Sequence, residues 1–293
     1  MRPLTLGPVR IDTVVENAAV PLRFAEFLPD SRPEDIEAAA AWLRPHLADA
    51  SLTHGLLSFH SYVLRTERCT ILVDACIGND KERGGHPAFH RLNTPWLDEL
   101  HSIGVAPESI DYVLCTHLHA DHVGWNTRLL DGRWVPTFPR ARYLFARTEY
   151  EHRLAGWRTD PQYALGMFAD SILPVVEAGQ ALIVDDGYEL EGLLTLEPAP
   201  GHTPGNIVIR LGRLGATNSA VFSGDVIHHP LQVRFPEWSA AFCEDPLRSA
   251  DCRRQFVMSQ AETPTLILPA HFPAPTAGHI RRDGARWRYE FIA

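Results

Sequence analysis

"THLHADHVGW", residues 116–125, follows the apolar run "IDYVLC" (110–115) and sets four potential metal ligands, His117, His119, Asp121 and His122, within six positions. A strand end that carries three imidazoles and a carboxylate into an interior must compensate them, because an unpartnered buried polar group costs roughly 2–7 kcal/mol. In an extended segment residues i and i+2 point to the same side, so His117 and His119 can grip one ion together. Asp121 and His122 fall past the turn and aim elsewhere. That pattern suits two ions side by side, each needing further ligands from other strand ends.

Those ligands are present. "LEPAPGHTPG" places His202 after a strand at 193–199, "VFSGDVIHH" places Asp225 after a strand at 220–223, and "LILPAHFPAP" places His271 after a strand at 265–269. Divided between two ions, His117, His119 and His202 form one site and Asp121, His122 and His271 a second, with Asp225 bridging them together with a water. Imidazole with carboxylate is ligation suited to zinc, with manganese, cobalt or iron accepted by the same donors. An open bridging position makes such a site catalytic rather than structural.

The rest of the chain bounds this reading. With 293 residues, 45% of them hydrophobic, there is ample material for a large core. A formal charge of -9 and the lack of a Lys/Arg-rich run argue against a nucleic-acid partner. The five cysteines, Cys69, Cys76, Cys115, Cys243 and Cys252, include no C-x-x-C pair and read as free thiols of a reducing compartment. The N-terminus has no apolar signal core and no run of 18 apolar residues occurs, so a cytoplasmic protein without membrane contact is expected.

Short apolar runs bounded by Gly, Pro or Asp predict strands at 57–64, 70–75, 110–115, 181–186, 193–199, 206–211, 220–225 and 265–270. Helical patterns cover 31–47, with a Ser31 cap, and 245–262, with an Asp245 cap followed by Pro246. One α/β domain over 1–293 is expected, with an N-terminal extension at 1–50 and a helical insertion at 126–180 lying near the active site.

"THLHADH" with the later "GHTPG", "SGD" and "PAH" resembles the metallo-β-lactamase-fold metallohydrolase superfamily, whose signature is H-x-H-x-D-H followed by a distant His, Asp and His. The resemblance runs from about residue 57 to 275 and implies a four-layer αββα sandwich with a dinuclear site at one edge of its two sheets. His119 stands where diiron flavoproteins of this fold carry Glu, and Asp225 where zinc β-lactamases carry Cys or Ser, so neither chemistry is expected. The lactonase and methyl-parathion-hydrolase branch remains. Acyl-homoserine lactonases have a tyrosine three residues after the bridging Asp; here that place is His228.

The resemblance also implies that Asp74, ending "ILVDA", braces the metal loop, in keeping with the need to orient ligand imidazoles. His60, Trp125, Trp238 and Phe272 are candidates to line an apolar pocket, with Phe235 and Phe242 beside them. The expected activity is that of a hydrolase with two Zn2+ per chain, in which a bridging hydroxide attacks a small, partly hydrophobic ester or lactone. Asp121 or His228 would supply the leaving-group proton. An organophosphate triester or other xenobiotic ester is the alternative substrate, and a metal-binding scaffold without turnover the alternative class. The only partner expected is a small-molecule substrate, and a homodimer is compatible with the sequence.

Overall fold

The computed structural model describes residues 2–292, which divide into two compact units. The first comprises residues 2–16 and 59–186. Its strands are β1 (Leu4–Leu6), β2 (Val9–Arg23, of which residues 9–16 belong here), β3 (His54–Arg65, of which 59–65 belong here), β4 (Thr70–Val73), β5 (Tyr112–Leu114), β6 (Thr127–Leu130), β7 (Arg133–Pro136), β8 (Arg142–Ala146) and β9 (Ala181–Val184). A seven-stranded sheet has the order β1-β2-β3-β4-β5-β8-β9, while β6 and β7 form a separate hairpin. The pairs β4–β5, β5–β8 and β8–β9 are parallel, in a register that sets Val73 beside Leu114 and Leu114 beside Leu144. Parallel strands end at the same edge, so the loops after β4 and β5 emerge together. In an α/β sheet that carboxyl edge is where ligand sites form.

The core of this unit is Leu72, Val113, Cys115, Trp96, Phe138, Tyr143, Phe145 and Phe168 with their neighbours. Segment 126–180, expected as a helical insertion, holds the helix Arg147–Thr159 but also the β6–β7 hairpin and β8. Its β8 is an inner strand of the sheet, buried along "YLFA". The aromatic and arginine residues that made this segment look separate from the strands sit largely outside that short apolar run.

The second unit comprises residues 17–58 and 187–292. Its strands β10 (Glu189–Leu190), β11 (Leu194–Pro198), β12 (Ile207–Leu211), β13 (Ala220–Phe222), β14 (Leu266–Leu268), β15 (Gly278–Asp283) and β16 (Arg286–Phe291) form a seven-stranded sheet in chain order. All neighbours are antiparallel except β13 and β14, whose parallel register sets Phe222 beside Leu268. The turns that follow these two strands carry Asp225 and His271.

The helix Pro246–Gln260 starts as expected, with the Asp245 carboxylate accepting from Arg248 N at 3.0 Å. The pattern at 31–47 does not form one helix. It gives two short ones, Pro33–Ala38 and Ala40–Leu43, and Ser31 is not the cap. Arg44 is extended ahead of Pro45, as the ring of a following proline favours, so the helix stops there. All eight expected strands are present, generally shorter at their ends. Residues 2–50, read as an extension, contribute β1 and the whole of β2, which was not foreseen.

Candidate metal centre

In the first unit the loop after β5 delivers His117, His119, Asp121 and His122. His117 and His122 are buried, and their ring centroids are 4.1 Å apart. His117 Nε2 lies 3.0 Å from His119 Nδ1, and His122 Nε2 lies 3.7 Å from Asp121 Oδ2. Four donors thus crowd one short turn.

That turn is held from behind. Asp74, at a positive φ of 56° after β4, places Oδ2 2.9 Å from His122 Nδ1, and its Oδ1 accepts from Thr116 N at 2.8 Å. Leu118 N, between His117 and His119, donates to Glu149 Oε1 at 3.1 Å, and Arg153 Nε donates to the same oxygen at 2.8 Å. Glu16 accepts from Ile77 N at 2.7 Å, from Gly78 N at 3.1 Å and from Trp125 Nε1 at 2.7 Å. Burial outweighs these donors and raises its carboxyl above the ordinary range. Gly124 closes the turn against this strap, since a Cβ there would stand 1.7 Å from Ile77 O.

In the second unit three imidazoles meet one carboxylate. His202 Nε2 and His228 Nε2 each lie 3.1 Å from Asp225 Oδ2, and His271 Nε2 lies 3.1 Å from Asp225 Oδ1. All four residues are buried. The loop that carries His202 docks on the start of the helix Pro246–Gln260, where Gly201, with φ of 134°, has no room for a Cβ: Ser249 N would be 2.3 Å away. His202 Nδ1 faces Cys243 Sγ at 3.5 Å, and His271 Nδ1 faces Ser58 O at 3.1 Å.

Charge follows this packing. Burial pulls the His202 imidazole down, but Asp225 outweighs it and holds the ring at about 9. At His228 burial wins over Asp225, and the value falls to about 4. Burial pushes the Cys243 thiol up, yet His202 and Ser249 bring it below the ordinary thiol value.

Both donor sets fit a transition-metal ion. His228 Nε2 meets no hydrogen-bond donor among the described residues while it faces a carboxylate oxygen, an arrangement that a cation relieves. The donor types, imidazole nitrogen and carboxylate oxygen, are those of zinc and its first-row neighbours.

The structure relocates most of the expected pocket residues. Trp125 is buried and stacked on Trp96 at 5.3 Å, Trp238 is stacked on Phe235 at 4.1 Å, and Phe272 packs against Tyr289 and Phe291. Each belongs to a hydrophobic core, where an aromatic side chain buries more area than at a pocket wall. His60 is buried edge-on to Tyr62 at 5.0 Å. Phe242 lies beside the donors: 44% exposed, it stacks on Phe27 at 5.8 Å and turns toward the rings of His202 and His228, while Phe27 is itself edge-on to His228 at 6.1 Å. Glu16, Cys243, Glu149 and Gln232 carried no local sequence signal, because each acts through a fold-dependent contact.

A family model described as the metallo-beta-lactamase superfamily matches residues 55–281. The chain belongs to this superfamily. N-acyl homoserine lactonase AttM of Azorhizobium caulinodans is 27% identical over 182 residues, covering 60% of this chain and 63% of the relative. An N-acyl homoserine lactonase of Bacillus cereus is 28% identical over 156 residues, 50% of this chain and 54% of its own length. The chain therefore spans about half to three fifths of these two curated relatives. Among solved structures, a hydrolase of the beta lactamase superfamily, AbOPH, is 22% identical with a TM-score of 0.81, covering 99% of this chain and 97% of that one. AidC, a dizinc quorum-quenching lactonase, is 17% identical with a TM-score of 0.77, over 100% and 97% of the two chains. These likenesses show the metallo-β-lactamase fold that the sequence predicted.

Proposed function

We propose that this protein is a metal-dependent hydrolase of a small, partly hydrophobic ester or lactone. Two zinc ions would be held by the donors that the two units supply, His117, His119, Asp121 and His122 in the first and His202, Asp225 and His271 in the second. The observation that carries this reading is the convergence of His202, His228 and His271 on the Asp225 carboxylate, each Nε2 at 3.1 Å. A scaffold without turnover has no need to desolvate so many donors around a shared carboxylate.

Bound there, two such ions supply an activated water, its pKa lowered toward about 7, and an electrophile for the carbonyl or phosphoryl oxygen. The protein's own part is orientation. Asp74, Cys243 and Ser58 O each engage the Nδ1 of a ligand ring, so that His122, His202 and His271 present Nε2 inward. Asp121, half-buried where His117 and His122 are buried, would handle the leaving-group proton. Phe242 offers an exposed apolar face beside the donors, which suits an acyl or aryl group.

Similarity to N-acyl homoserine lactonases favours a lactone substrate, and a phosphotriester is the second reading, favoured by His228 in place of the lactonase tyrosine. A panel of acyl lactones, aryl esters, phosphotriesters and thioesters tests the proposal. We expect turnover of lactones or esters that is abolished by a chelator and restored by zinc. Turnover that survives exhaustive chelation, or no turnover of any member by the zinc-loaded protein, would contradict it.

A further inference from the structure

We propose that His228 is an additional metal ligand, and that Gln232 is the residue that makes it one. The inference rests on the metal-dependent reading above and extends its donor set within the second unit.

Gln232 is fully buried, and its orientation is fixed from both ends. Its Nε2 donates to Trp238 O at 2.9 Å, while its Oε1 accepts from His228 N at 2.7 Å and from His229 N at 3.3 Å. Two backbone donors on Oε1 leave no freedom to exchange the amide's nitrogen and oxygen. The same Oε1 lies 3.3 Å from His228 Nδ1. An amide oxygen only accepts, so Nδ1 must carry the hydrogen, and in a neutral ring Nε2 is then a bare lone pair.

That lone pair is buried and faces Asp225 Oδ2 at 3.1 Å, acceptor against acceptor. His202 Nε2 stands at the same distance from the same oxygen, and the two rings are 4.8 Å apart at their centroids. Separations of this size match the edge of about 3.3 Å in a tetrahedron built on metal–ligand bonds of about 2.0–2.1 Å. The ring is also held as His122, His202 and His271 are, by a partner on Nδ1 with Nε2 turned inward. His229, next in the chain, shows the contrast: its Nε2 meets Leu47 O at 2.8 Å and its Nδ1 accepts from Leu231 N at 3.2 Å, so both nitrogens are spent on backbone.

A ring nitrogen committed as an acceptor has no proton to give, so this assignment replaces the proton-donor role considered for His228 from the sequence. Asp121 alone keeps that role.

Long-range proton–nitrogen NMR correlations of the histidine rings, recorded on the intact protein before and after zinc addition and assigned with His228→Asn, test the inference. In the metal-free protein His228 should carry its hydrogen on Nδ1, and zinc should move its Nε2 signal into the metal-bound range together with those of His202 and His271. Zinc shifts at His202 and His271 with His228 unmoved, or a metal-free His228 protonated on Nε2, would overturn the inference and leave the hydrolase reading standing. No zinc response from any ring would overturn both. As a second arm, Gln232→Leu should lower zinc affinity about 10–100-fold, measured by competition with a chromophoric chelator, whereas Gln232→Glu, which keeps the acceptor, should retain most of it. Unchanged affinity in Gln232→Leu would count against Gln232.

Discussion

The Asp74 carboxylate lies 2.9 Å from His122 Nδ1 and at the same time takes the Thr116 backbone N–H at 2.8 Å. One buried side chain thus sets both the path of the loop that carries four candidate donors and the orientation of the His122 ring. The parallel pairing of β4 and β5 brings these residues together.

Asp74→Ala should keep the fold but weaken zinc binding by about 10–100-fold, the range for losing a partner that orients a ligand imidazole. Asp74→Asn, which tolerates the positive φ, should lie between the variant and wild type. Competition with a chromophoric chelator measures this. Equal affinity in Asp74→Ala and wild type would show that the contact does not serve the metal.

On the far side of the second donor set, Cys243 Sγ faces His202 Nδ1. Cys243→Ala should reduce zinc affinity by about 10-fold or more, and Cys243→Ser should recover most of the loss because it restores an acceptor. Failure of Ser to do better than Ala would assign Cys243 to packing alone.

Glu149 and Arg153 form a pair that is 1% exposed at both ends, 2.8 Å apart, on successive turns of one helix. Removing the carboxylate takes the Glu149 charge away from a buried guanidinium, which keeps its contact with Tyr163, and frees the Leu118 N–H, so Glu149→Ala should cost about 3–5 kcal/mol in urea unfolding. A loss under about 1 kcal/mol would mean that the pair is dispensable.

Lys81 gives the stability a pH dependence. Its ammonium is fully buried, 2.6 Å from Thr127 Oγ1 and 3.1 Å from Asp170 O, while Arg83 occupies the Asp170 carboxylate. Burial, opposed by Asp170 and reinforced by Arg83, lowers its pKa from 10.5 to about 7. Between those values the unfolded chain holds a proton that the folded one has released, so this residue makes stability rise with pH across that window and fall as pH drops toward 7. Lys81→Met should remove that slope, as unfolding free energies at several pH values from 7 to 10 will show. Parallel pH dependence in variant and wild type would contradict the assignment.

The fold and the clustering of the candidate donors were legible in the sequence because such donors are concentrated chemistry: three imidazoles and an aspartate in one turn have few structural uses, and His202, Asp225 and His271 each follow an apolar strand that periodicity reveals. What stayed hidden depends on contacts between distant positions. Glu16 sits in a strand whose alternation is broken by small and polar residues, so neither β2 nor its strap on Ile77 could be read. The β15–β16 hairpin turns through Gly284–Ala285, with Gly284 at a positive φ of 61°, but its flanks are dominated by arginines that mask the strand pattern. Trp125, Trp238 and Phe272 were placed by their closeness in sequence to ligand loops. Closeness along the chain does not say which way a side chain points, and all three point into cores.

The proposed function requires these donors to hold two metal ions per chain. Elemental analysis of protein prepared with zinc and freed of loosely bound ions tests it most directly, with Asp225→Ala alongside. The account predicts close to two zinc ions per wild-type chain and a clear loss in the variant. One ion or none in the wild type, or two ions undisturbed when Asp225 is replaced, would contradict it.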